Sequence, residues 1–125
     1  GVEIINSGKI ITIDSVDTWE GSPGEPVLMG DKSVVDGTLY DEFIANIEPV
    51  KHIVTPVKMP SVEAAKLYED KSLFFVFIDG SHLYEAVKED IFAWLPKDVG
   101  PNLRFVLDHS CFGIGAWSAQ FYCAR

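Results

Sequence analysis

The stretch LFFVFIDGSHLYEAVKEDI, Leu73 to Ile91, constrains the fold more than any other part of the chain. Leu73 to Ile78 is apolar without alternation, Asp79 stops the run, Gly-Ser-His follows, and the pattern then takes on a helical period. A continuous apolar run of that length suits a strand buried on both faces, which arises when helices cover both sides of a parallel sheet. The helix that follows carries Leu83, Val87, Ile91, Trp94 and Leu95 on one side and Glu85, Lys88 and Glu89 on the other. Pro96 closes it, because proline has no amide hydrogen to continue the ladder.

The rest of the chain repeats this alternation. Gly8 to Asp17, GKIITIDSVD, reads as a β-branched strand ending in acids. Thr18 to Gly37 is rich in Gly and Pro and reads as a surface loop or lid. Thr38 to Ile47 has Leu39, Phe43 and Ile47 four apart, a helical spacing that Pro49 ends. His52 to Val57 is a short strand whose Pro56 places it near a sheet edge. Ser61 stands where it can cap a helix over VEAAKLYED, with Glu63 suited to the positive end of the helix dipole. Asn102 to Leu107 reads as a last strand, with Asp108 and His109 at its end. Strands alternating with helices favour βαβ crossovers and a mostly parallel sheet flanked by helices. With 125 residues and no internal repeat, the expectation is a single domain over residues 1–125.

Charge and composition exclude some functions. The net charge is −9 and the ten Lys and Arg are scattered, so no basic stripe is present to displace counterions from a nucleic-acid backbone. No apolar run approaches the ~18 residues of a membrane span, and no stretch resembles a signal peptide, so the expected location is cytoplasmic. Cys111 and Cys123 form no CxxC or zinc-like spacing and read as reduced thiols.

In an open parallel sheet, ligands bind beyond the carboxyl ends of the strands. Asp14 or Asp17, Asp79 and Asp108 stand at three such ends. A carboxylate there is shaped to accept two ribose hydroxyls, and two neighbouring carboxylates can share Mg²⁺. The alternative is structural, since an Asp at a strand end also caps the turn that follows. His82, three residues after Asp79, suits a general base, a metal ligand or a helix-start imidazole bonded to a carbonyl. Trp19 suits stacking on an adenine or a substrate ring, or anchoring of its own loop. Trp94 and Tyr84 read as packing residues, and His52 as surface. Asp79, His82, Asp108 and His109 also have the composition of an iron-binding facial triad, although spacing alone does not bring them together.

FVFIDGSHLYEAVKEDIFAWLPK resembles the fourth-strand segment of class I S-adenosylmethionine-dependent methyltransferases, in the small-molecule subgroup whose strand ends in IDG or IDA followed by H-x-Y. VDTWEGS, Val16 to Ser22, is similar to that subgroup's second strand and loop, and SVEAAKLYEDKSLFFVFID to its third-to-fourth connection. The resemblance spans Lys9 to Lys97 and implies a Rossmann-like αβα sandwich that binds S-adenosylmethionine. It further implies Asp17 near the ribose, Ser61 near the adenine, and Asp79 with His82 at the methyl-transfer end. Metal-dependent relatives imply Asp79 as a Mg²⁺ ligand, with Asp108 as a candidate partner, and His82 as the general base.

The chain also departs from the family pattern. Only GVEIINS precedes Gly8, no GxGxG is present, and the family's His-Asp pair is matched only by Asp108-His109 in reversed order. The expectation is therefore a truncated sheet lacking the first strand and the last strands. In the family that first strand lies between the second and the fourth, and inner edges left unpaired cost about 1–3 kcal/mol per buried group. Direct pairing of the two flanking strands, the residues VEII, or a second copy of the chain are the ways to fill the slot. The last of these, with the apolar tail FGIGAWSAQFYCA, leads to an expected homo-oligomer. The functional expectation is a methyltransferase for an oxygen or nitrogen of a small-molecule substrate, weak or inactive as this chain alone. The alternative is a non-catalytic Rossmann-like module that binds no cofactor.

Overall fold

The computed structural model describes residues 5–21, 30–81, 83–98 and 121–124. In chain order the elements are β1 (Ile13–Asp17), α1 (Lys32–Val35), α2 (Leu39–Ile47), β2 (Val54–Lys58), α3 (Ser61–Ala65), β3 (Phe75–Phe77), α4 (Tyr84–Trp94) and β4 (Phe121–Ala124). Two 3₁₀ turns, Glu48–Val50 and Leu95–Lys97, extend α2 and α4. Pro49 and Pro96 each fall at the start of one of them, where a missing amide hydrogen costs no helical bond. Asp31 caps α1 by accepting from the Ser33 amide at 2.8 Å. Gly37, at φ +72°, makes the left-handed turn between α1 and α2 that a side chain would strain.

The strands form one sheet in the order β2-β1-β4-β3. β2 lies parallel to β1 at the edge, which is where the sequence pattern of Pro56 puts it. β4 is antiparallel to both β1 and β3. It follows that β1, β2 and β3 all run one way and β4 alone runs against them. Among the described strands the sheet is mixed, with β1 and β2 parallel and β4 antiparallel to its neighbours, an arrangement compatible with the expected α/β Rossmann-like fold. The slot between β1 and β3 is filled by the C-terminal strand of the same chain, a solution that the sequence reading did not include. Asn102 to Leu107, and Asp108 and His109 with it, lie outside the described residues.

The core lies on one face of the sheet. Val16 of β1, Val76 of β3 and Ile78 just beyond it pack against Ala64 and Ala65 of α3, Trp94 of α4, and Tyr68 and Leu73. Val57, Met59, Ile91 and Ala93 close the margins of this cluster. The alternation of side chains along a strand explains why Val16 and Val76 point together, and each large buried side chain contributes roughly 1.5–3 kcal/mol. Two small residues in α3 allow that helix to sit close to its neighbours.

Several element boundaries differ from the sequence pattern. α3 ends at Ala65 instead of running through Asp70, which turns Tyr68 inward and leaves Lys71 at φ +58°. Ser61 is the first helical residue and not the cap; Pro60 holds that position, with no side-chain capping bond. Leu83 and Leu95 are 58% and 46% exposed, so the buried stripe of α4 is narrower than expected. Leu83 sits before the first helical turn and Leu95 begins the tighter 3₁₀ turn, and both changes rotate a side chain off the stripe. Trp94 is buried as expected, whereas Tyr84 is exposed. No helix among the described residues is long and apolar enough to cross a membrane.

Candidate functional site

Because β1, β2 and β3 are codirectional, their carboxyl ends share one edge of the sheet. β4 supplies the ruler across it. Ser15 and Phe77 both pair with Tyr122, so they are level. Two residues further along, Asp17 and Asp79 reach the same rim on either side of β4. Two strand spacings separate their backbones, about 10 Å. Phe121 opens β4 between them, opposite Val16.

Asp17 is the best defined group of this rim. Its Oδ1 accepts a hydrogen bond from the Trp19 amide at 2.9 Å. Burial pushes its carboxyl above the ordinary 3.8, and hydrogen bonds from Trp19 and Thr18 pull it part of the way back. Trp19 holds a left-handed backbone, φ +56°, unusual for a bulky residue. Its indole is only 4% exposed, with ring centroids 4.9 Å from both Tyr40 (edge-on, 68°) and Phe43 (tilted, 45°) of α2. Its Nε1 is buried without a hydrogen-bond partner. In this conformation Trp19 anchors its loop to α2. The Lys58 ammonium, at the end of β2 and next to Asp17 in register, lies 4.6 Å over the Tyr40 ring.

On the other side of the rim Asp79 is half-buried and Gly80 buried. The Ser81 hydroxyl accepts from the Leu83 amide at 3.3 Å as the chain enters α4. His82 and Asp108 lie outside the described residues, and so does any geometry for base or metal roles there. Among the described residues no group of three or more His, Cys, Asp or Glu side chains converges to hold a metal ion.

Two candidates stand elsewhere. Ser61 Oγ accepts from Trp94 Nε1 at 2.9 Å, and its hydroxyl also meets Asp90, so it belongs to the α3–α4 contact. Asp14 is mid-strand, 3% exposed, and accepts from the Tyr68 hydroxyl at 2.8 Å. Of the two acids in β1, only Asp17 ends the strand.

Sequence reasoning missed Asp90, which is buried on α4 with its carboxyl raised by desolvation, lowered in part by Ser61 and raised by the Glu89 charge. Its signal was its spacing, three after Val87 and four before Trp94, which puts it on the buried stripe. The partnership of Asp14 with Tyr68 had no such signal, because the two are far apart in sequence and meet only through the turn after α3.

A rim with an acid on each side of a central strand can hold a ligand rich in hydroxyl and amine groups. A family model described as a methyltransferase domain matches residues 3–100. No curated protein and no solved structure matches the chain.

Proposed function

The chain belongs to the methyltransferase-domain family, and from that premise we propose that it binds S-adenosylmethionine and methylates an oxygen or nitrogen of a small molecule. The observation that supports this reading is the shared direction of β1, β2 and β3, which gives Asp17 and Asp79 one rim. The Asp17 carboxylate suits a ribose contact: it is fixed in place by the Trp19 amide and by Thr18, and keeps a lone pair for a hydroxyl. When bound, S-adenosylmethionine supplies a methyl carbon made electrophilic by its sulfonium.

The protein's part is chiefly to position the reactants. Asp79 orients the acceptor, and His82 takes its proton, a task for which imidazole is the commonest side chain. Ser61 and Trp19, whose polar and aromatic groups are engaged within the protein, enter as the wall on the adenine side. Mg²⁺ belongs to this reading only with Asp79 and Asp108 as its ligands, and activity unchanged by EDTA would remove it.

Calorimetric titration with S-adenosylmethionine tests the proposal. Micromolar binding is expected, weakened about tenfold or more by Asp17→Ala, as for loss of hydrogen bonds to a charged acceptor. A second reading, a non-catalytic module, draws support from the donors that Asp17 already accepts from its own turn. No heat at millimolar S-adenosylmethionine would favour it.

A further inference from the structure

Trp19 combines three features that call for one explanation. Its backbone sits in the left-handed region, which bulky side chains avoid. Its indole is nearly fully buried although its Nε1–H finds no hydrogen-bond acceptor there. Its amide is aimed at Asp17 Oδ1. A strained backbone and an orphaned donor persist only where the surroundings over-determine them. Here the surroundings are Tyr40 and Phe43, one helical turn apart along α2 with ring contacts to the same indole.

Tyr40 has a second task. It meets Trp19 with one contact and carries the Lys58 ammonium over its ring with another. Lys58 is the cation next to Asp17 in the β1–β2 register, yet Asp17 forms no ion pair with it. A lysine released from Tyr40 has Asp17 as its nearest strand-end partner. Such a pairing would neutralise the carboxylate and occupy the lone pairs that a ligand needs.

We propose that Trp19, clamped by Tyr40 and Phe43, is a positioning residue for the rim acid: the α2 aromatic pair holds the Asp17 carboxylate in one orientation and keeps Lys58 away from it. The ligand consequence rests on the reading of Asp17 as a ribose contact; the positioning itself does not. The coupling runs from the outside of α2 to the rim, so substitutions on α2 that touch no ligand alter the site.

The test follows the Asp17 carboxyl carbon by NMR titration in the full chain, with S-adenosylhomocysteine binding measured in parallel by calorimetry. Trp19→Phe keeps an aromatic ring in the clamp and should leave the Asp17 midpoint unchanged. Trp19→Gly relaxes the backbone and removes the anchor, and Tyr40→Leu frees Lys58. In both, the Asp17 midpoint should move down toward or below the ordinary 3.8, and binding should weaken about tenfold. Lys58→Gln added to Tyr40→Leu should restore part of both, a rescue that a merely structural role would not produce. A midpoint that moves while no form binds S-adenosylhomocysteine upholds the positioning and overturns the ligand reading. An Asp17 midpoint unmoved in folded Trp19→Gly and Tyr40→Leu overturns the proposal.

Discussion

At the scale of single residues, the acids of this chain fall into two kinds by what surrounds them. Asp14 is satisfied by a phenol inside the core, and removing that donor leaves a buried carboxylate short of a bond. Tyr68→Phe is therefore expected to cost about 1–3 kcal/mol in urea unfolding, with little change in the slope of the transition. Asp90 is the opposite case, because burial raises its carboxyl and the Ser61 hydroxyl offsets this only in part. A folded pKa above the unfolded one means that the folded state binds the proton more tightly. Stability from this group is then greatest in acid and declines as pH rises from 3.8 to the raised folded value. Asp17 acts in the same sense, and the exposed Asp31, lowered by Ser33, in the opposite one. Asp90→Asn should flatten part of the decline in urea midpoint as pH rises above 3.8, and an unchanged profile would show that Asp90 does not titrate differently on folding.

At the scale of elements, the sheet depends on β4. Four residues join β1 to β3, and without them the only remaining strand pairing among those described is β1 with β2. Tyr122→Pro removes an amide donor from a strand paired on both sides and should cost about 3 kcal/mol or more, whereas Pro56 is tolerated at the edge in β2. Retention of wild-type stability in Tyr122→Pro would mean that β4 does not hold the centre of the sheet.

Much of this layer was legible beforehand. Periodicity gave α2 and α4 to within a residue or two, the apolar run gave β3, and Pro56 gave the edge. The short α3 was not legible, since VEAAKLYED has good helical composition and only the burial of Tyr68 breaks it. Nor was β4, because pairing between Phe121–Ala124 and strands near Asp14 and Val76 is a long-range choice that local pattern does not encode.

At the scale of the molecule, the shared direction of three strands brings Asp17 and Asp79 to one edge of the sheet. The place of Asp17 at the end of β1 was legible in the sequence, and so was the alternative that it caps its own turn, which the Trp19 amide bond shows. Its support by Trp19, Tyr40 and Phe43 was not legible, since α2 meets the rim only in three dimensions. With β4 in the slot between β1 and β3, the unpaired edges that motivated self-association are filled within one chain. Among the described residues, exposed apolar side chains such as Phe74 and Phe92 are the remaining surface on which self-association could draw.

The most direct measurement is a map of amide chemical-shift changes on adding S-adenosylmethionine to the folded chain. The account predicts changes centred on Asp17 to Trp19 and on Asp79 to Ser81, with Ile13, Val54 and Phe75 at the far edge unmoved. Changes centred on that far edge, or on α4 around Asp90 alone, would contradict it.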